Sequence, residues 1–345
     1  MKKKLKRFLL LGFLALNFQA SAQDVHFSQF YETSLLRNPA LTGIFSGDYK
    51  AGVIYRNQWN SISKPYQTGI ASGEVRIPVF GDAHDFVSVG LLAYYDKAGS
   101  IDLQTIGFYP AVNYNKSLHD DNNSFLSVGF TAGYLQRSYD PSKATFNNQY
   151  QNGSFSQYNP TGEQLSNPKI NQWDAGAGIS FSSTAGENKS INYFVGASGY
   201  HFTKPKSSLY NNELIRLQMK WEGNAGLSVK LNGPYSVFVQ ANYQKQGSYN
   251  EIILGGTAGW NLMRDEKEKL FSVNAGGFFR VGDAIIPTFR FEYKDFGVGI
   301  SYDINVSSLK AASNMRGGLE ITMFKTGFLK GDFENSHTSC PQFFD

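Results

Sequence analysis

From residue 124 to residue 137 the chain reads S-F-L-S-V-G-F-T-A-G-Y-L-Q-R. Leu126, Val128, Phe130, Ala132 and Tyr134 share one side of an extended strand, and Ser127, Gly129, Thr131 and Gly133 share the other, because successive side chains of a strand point to opposite faces. A soluble sandwich buries its large side chains and turns Lys, Glu and Thr outward. Here the face opposite the apolar one is Gly, Ser and Thr. That suits a wall with lipid on one side and a wet or polar-packed lumen on the other.

The same unit recurs along the chain. Alternation predicts strands over residues 49–58, 67–79, 86–95, 103–116, 124–137, 172–183, 191–202, 214–231, 235–244, 251–262, 270–281, 284–293, 296–304 and 317–326. About ten residues is the length a tilted strand needs to cross a bilayer. The expected fold is therefore all-β: a transmembrane outer-membrane β-barrel of about fourteen antiparallel strands, with N- and C-terminal periplasmic segments. An even count puts both termini on one side. With that side periplasmic, the long connections 138–171, 203–213 and 305–316 all fall outside and most of the inner turns are short, the asymmetry of outer-membrane barrels. The tight turn at Gly282-Asp283 is the exception.

Ionisable residues within the strands fall mainly opposite the apolar face. Glu74 and Arg76 alternate with Val75 and Ile77, Arg290 and Glu292 with Phe289, Phe291 and Tyr293, and Glu320 with Leu319 and Ile321. Arg280 falls opposite Phe279, and Arg216, Lys220 and Glu222 fall opposite a face of Ile215, Leu217, Met219 and Trp221. A cation facing lipid at mid-depth costs about 2–4 kcal/mol, so these groups are expected in the lumen. Their mixed signs favour an ion-paired, packed interior over a selective pore, which would carry a ring of one sign.

Before the strands come two segments of different character. Residues 1–22 have a basic start (Lys2, Lys3, Lys4, Lys6, Arg7), an apolar middle and Ala20-Ser21-Ala22. They read as a secretory signal cleaved before Gln23. Removing those five positive charges turns the formal +4 into 4 − 5 = −1, so the basic balance belongs to the leader and is poor support for nucleic-acid binding. Residues 23–48 are short, aromatic and amphipathic. They are expected to tuck into the barrel mouth as a plug, where Phe27, Phe30 and Tyr31 find cover. The barrel proper is expected over 49–326 and a periplasmic tail over 327–345. The single cysteine, Cys340, rules out an intramolecular disulfide.

Catalytic chemistry is not visible. The five histidines are scattered without metal-ligand spacing, and neither a nucleophile elbow nor a phosphate loop is present. The expectation is a protein that is not an enzyme and carries no cofactor or metal.

Short motifs at the two ends are more specific. Phe27-Ser28-Gln29-Phe30, Asn38-Pro39-Ala40-Leu41-Thr42-Gly43 and Tyr55-Arg56-Asn57-Gln58-Trp59 resemble the opening of the PorP/SprF family. Tyr302-Asp303-Ile304-Asn305-Val306-Ser307-Ser308-Leu309, Arg316-Gly317-Gly318-Leu319-Glu320 and Cys340-Pro341-Gln342-Phe343 resemble its end. The resemblance implies a Bacteroidota outer-membrane protein of the type IX secretion and gliding apparatus. It implies contact with outer-membrane lipid and a barrel that docks periplasmic components of the secretion ring, holds the C-terminal domain of a secreted adhesin at the surface, or does both; the motifs are shared by both branches and do not choose between them. Cys340, Pro341 and Phe343 are then candidates for periplasmic docking. A transport channel for a small or hydrophobic solute, with an N-terminal plug, is the alternative.

Closed barrels resist detergent until boiled because every strand edge is paired. The purified protein is therefore expected to migrate faster unboiled than boiled; unchanged mobility together with a helical circular-dichroism spectrum would contradict the barrel.

Overall fold

A computed structural model describes residues 24–329 apart from 61–63, 80–83, 120–122, 164–166, 210–211, 213, 264–268 and 309. The leader 1–22, most of the tail, and with it Cys340, Pro341 and Phe343, lie outside the described residues. The strands are β1 (Tyr49–Gln58), β2 (Tyr66–Pro78), β3 (Phe86–Ala98), β4 (Leu103–His119), β5 (Ser124–Ser138), β6 (Lys169–Ala185) and β7 (Ile191–Tyr200). They continue with β8 (Lys220–Lys230), β9 (Tyr235–Gln246), β10 (Tyr249–Met263), β11 (Lys269–Arg280), β12 (Ala284–Tyr293), β13 (Phe296–Asn305) and β14 (Arg316–Gly327). Each pairs antiparallel with its neighbours in sequence, and β1 pairs with β14 from Tyr49↔Gly327 to Gln58↔Gly318, closing a barrel of fourteen strands.

Burial is inverted relative to a soluble protein. On β5, Phe130 is 62% exposed and Ser127 only 1%. The same alternation runs through β11 to β14, where Phe279, Ile285, Phe291 and Leu319 point out while Arg280, Arg290, Glu292 and Glu320 are buried. No helix among the described residues is long and apolar enough to cross a membrane; the strands do the crossing. The outer surface is the apolar band that lipid requires, and the chain is an outer-membrane barrel.

The chain enters β1 and leaves β14 at one end, called the near end below. Connections there are short. The long connections 139–168, 201–219 and 306–315 all lie at the opposite, far end. The longest carries two short 3-10 turns and a two-residue ribbon, Tyr150–Gln151 with Ser154–Phe155.

Most strand boundaries move from expectation by three residues or fewer, and the largest departure is at the start of β8. The predicted strand over 214–231 begins at Lys220. Residues 214–219 belong instead to a far-end excursion in which Lys206 and Arg216 form an isolated antiparallel bridge. That small ribbon imposes its own period of two, which is why the alternation of Ile215, Leu217 and Met219 looked continuous with β8. Arg216 is consequently exposed at the rim, donating to Lys204 O at 3.2 Å, and is not a lumen charge.

Val128, on the outer face of β5, is 38% exposed. Val128→Arg is expected to sharply reduce the heat-modifiable form, because a cation facing the bilayer midplane costs about 2–4 kcal/mol. Val128→Leu should assemble normally, and equal membrane yields for the two would show that this face does not meet lipid.

Candidate functional site

The lumen is filled by the chain's own N-terminal segment. Residues 24–48 form three short turns, Phe30–Glu32, Ser34–Arg37 and Pro39–Leu41, joined by extended links. Their backbone polar groups cannot be satisfied within turns this short, so the barrel wall supplies the partners. Asp24 lies at the far end, against His201, Lys220 and Gln246. Asp48 lies at the near end, its N–H donating to Gly327 O at 2.7 Å. The segment therefore runs the whole height of the barrel. It is a strap threaded through the lumen, not a plug confined to one mouth. The reason is the number of wall contacts it makes along its length.

The first contact joins the two ends of the sequence. Glu320 accepts from the backbone N–H groups of Ser28 (2.9 Å) and Gln29 (2.7 Å). The Ser28 hydroxyl donates to Asp303 at 2.5 Å and accepts from Arg56 (2.7 Å) and Arg280 (2.8 Å). Arg56 also bridges Asp303 at 2.8 Å and Glu320 at 3.0 Å, and Arg280 reaches Asp303 at 3.0 Å. Every member is nearly fully buried. The short motifs around Ser28, Arg56, Asp303 and Glu320, remote in sequence, thus converge on one point in space.

The second contact lies at mid-height. Asn38 caps its own turn by accepting from Ala40 N at 2.9 Å, and its amide donates to Ile179 O at 3.2 Å. Asn113 donates to Ala40 O (3.0 Å) and Thr42 O (2.8 Å). Pro39 and Ala40 lie directly on Gly129, where a Cβ would meet Pro39 C at 2.3 Å. A Cβ at Gly178 would likewise meet the Asn38 side chain at 2.0 Å. The small inner face of β5 is small because a polypeptide backbone rests on it.

The third contact is at the near end. Glu74 accepts from Gly43 N at 2.8 Å and from the Ser34 hydroxyl at 2.6 Å, and Arg76 donates to Gly43 O at 3.2 Å and to Phe45 O. Lys50, which stands beside Glu74 on the neighbouring strand, reaches Glu32 at 3.1 Å, and Arg290 on β12 pairs with Glu32 and Glu292. Apolar packing completes the fit. Phe27 and Leu35 join Ile54, Ile70, Leu92 and Leu135, while Phe30 and Tyr31 pack on Phe278 and Ile286.

Of the residues singled out from the sequence, Phe27, Ser28, Gln29, Phe30, Asn38, Pro39, Ala40 and Gly43 lie in the strap, and Arg56 points in to meet it. Gln58 and Trp59 lie at the far rim, where Trp59 N–H donates to Gly317 O and its ring packs edge-on against Tyr66. Glu74, Arg76, Arg280, Arg290, Glu292 and Glu320 face the strap, while Lys220 pairs with Glu222 at 2.9 Å and with Asp24 at 3.6 Å.

The sequence reading missed the far-end clamp. His201 holds Asp24 through Nε2 at 2.6 Å and Asp174 through Nδ1 at 2.8 Å, and the Tyr109 hydroxyl donates to Asp174 at 3.0 Å. Burial alone would lower the His201 pKa, but the two carboxylates outweigh it and raise it to about 9. Burial likewise pushes Asp24 up, and His201 with Lys220 overcomes it and holds the carboxyl well below its usual range. Asp174 could have been noticed, since it shares the inward parity of Gln172. His201 sits in a turn with φ +62° and follows no period. Among the described residues no group of three or more ligating side chains is arranged to hold a metal ion.

A family model described as type IX secretion system membrane protein PorP/SprF matches residues 19–323. No curated protein matches the sequence. Among solved structures, the toluene transporter TbuX of Ralstonia pickettii is 9% identical with a TM-score of 0.49, covering 84% of this chain and 91% of that one. The monoaromatic hydrocarbon channel CymD is 11% identical at 0.48, covering 87% and 94%. A FadL homologue of Pseudomonas aeruginosa is 8% identical at 0.46, covering 85% and 93%.

The clamp has a pH signature. A histidine whose folded pKa lies above its unfolded value contributes stability that is complete below about 6.5 and lost as pH rises through about 9. The unfolding temperature of the native protein should exceed that of His201→Asn at pH 6, and the gap should close between pH 7 and 10. A gap independent of pH would show that the imidazole is held neutral.

Proposed function

The chain belongs to the PorP/SprF family of type IX secretion system membrane proteins, and from that premise we propose that it works as a closed docking barrel. It holds the C-terminal domain of a secreted protein at the cell surface and engages the periplasmic secretion machinery. It conducts no solute and performs no chemistry of its own.

The observation that supports this reading is the filled lumen. Strap and wall are joined at three heights, by buried charges toward both ends and by amides on backbone between them, and a half-broken buried ion pair costs about 3–5 kcal/mol. A barrel built this way offers its rims, not its interior, to partners. The long far-end connections face outward under the usual asymmetry of such barrels, and they carry large exposed rings such as Tyr158 and Tyr150. We assign the periplasmic contact to the tail 327–345, where Cys340, Pro341 and Phe343 are the docking candidates.

The test uses the purified full chain. It should bind the purified C-terminal domain of a type IX substrate and show no steady conductance in planar bilayers. A chain lacking residues 337–345 should assemble and bind the secreted domain but fail to recover periplasmic components. Steady conductance by the native protein without binding would favour the solute channel instead.

A further inference from the structure

The far rim is stepped. β6 extends to Lys169, yet its pairing with β7 begins only at Ala177↔Gly199. β7 and β8 stop together at Tyr200↔Lys220. Residues 169–176 pair with β5 along one side, from Ser138↔Lys169 to Thr131↔Gly176, and have no strand on the other.

The backbone direction along this edge can be fixed. Ala175 O accepts from Phe202 N at 3.1 Å, and Trp173 O from the Thr203 hydroxyl at 2.8 Å. Odd-numbered residues therefore turn their N–H and C=O groups to the open side, since the direction alternates in an antiparallel strand. Beyond Thr203 the excursion leaves the edge. Gln172 and Asp174 point inward and draw it over the lumen, Gln172 donating to Lys206 O and Asp174 pairing with His201. Among the described residues no hydrogen bond reaches the backbone of Lys169 or Asn171 from that side, or the N–H of Trp173.

An unpaired edge cannot lie in hydrocarbon, where each bare group costs several kcal/mol. Lys169 and Asn171, both exposed on the outer face, place this stretch above the lipid. Immediately beside it stands an aromatic belt. Trp173 is 71% exposed and packs on Tyr134 at 5.1 Å, and Phe202 packs on Trp221 at 6.0 Å.

We propose that the open edge of β6 over residues 169–173 receives an extended segment of the secreted domain as an added strand. The inference rests on the docking role given above and names the surface that carries it. A bare edge recognises a strand by its backbone, with affinity from main-chain hydrogen bonds and selectivity from alternate side chains. Here the outward alternate positions of the guest would lie across Trp173, which calls for an apolar or aromatic residue there. The guest runs antiparallel or parallel to β6 without disturbing the barrel, because the pairing of β6 with β5 uses the even-numbered residues.

Parity supplies the test. Asn171→Pro removes an N–H from the open side only, and proline is tolerated at an edge with its nitrogen turned outward. The variant should remain heat-modifiable and bind the purified C-terminal domain of a type IX substrate about tenfold more weakly. Asn171→Ala, which also loses the side-chain bond from Gln136, should bind as the native protein does. Lys169→Pro is the second variant should Asn171→Pro fail to assemble. On the native protein, amide exchange across residues 169–173 should slow when the domain is bound. Native binding that is unchanged in the proline variants, with no slowed exchange, overturns the edge and leaves the docking role standing. No binding by the native protein overturns the docking role itself.

Discussion

Two arginines, Arg56 and Arg280, and two carboxylates, Asp303 and Glu320, surround the hydroxyl and backbone of Ser28 in a space closed to water. Much of the rest of the structure depends on this arrangement. Charges of this kind are tolerated in the interior only when each is paired and its remaining hydrogen-bonding sites are filled. Ser28 and Gln29 fill several of those sites. The strap is therefore part of what makes a charged lumen possible, and the charged lumen is what holds the strap. Neither is an accessory to the other.

The same reciprocity shapes the wall. Where the strap brings backbone to the barrel, at Pro39 and Ala40, the wall recedes to glycine. Where the strap carries carbonyls, the wall presents amides and guanidinium groups, as Asn113 and Arg76 do. Where it carries Phe27 and Leu35, the inner face turns apolar at Ile54, Ile70 and Leu92. A β-barrel of this size has ample interior volume, and this one has filled it with a single continuous segment whose chemistry changes with height.

The barrel was legible in the sequence because lipid imposes a severe rule on the outer face. An apolar residue at every second position leaves a period that survives without any knowledge of partners, and the β1 and β12 boundaries follow it to the residue. The inward charges of β2, β11, β12 and β14 were legible for the complementary reason. What they touch was not. Nothing periodic connects Ser28 to Glu320 or Asp24 to His201, because those contacts join segments more than a hundred residues apart across a lumen. The inner face of β5 was ambiguous in the same way: Gly, Ser and Thr suit water or a packed backbone equally, and only the position of Pro39 decides. Arg216 misled because a two-residue bridge in the rim imitates the alternation of a strand.

The height of the strap has a topological consequence. Asp24 stands at the far mouth and Asp48 at the near one, and the seam between β1 and β14 closes around everything between them. The molecule is a ring with its own beginning drawn through it. A ring cannot be threaded after it is joined except by passing a free end through its full bore, past inward side chains of the wall such as Arg280, Phe278 and Arg290. Joining the seam around a segment already lying in place requires no such passage. The first residues of the fold would then be the mould on which the last strand is set, and the order of assembly would run from the axis outward.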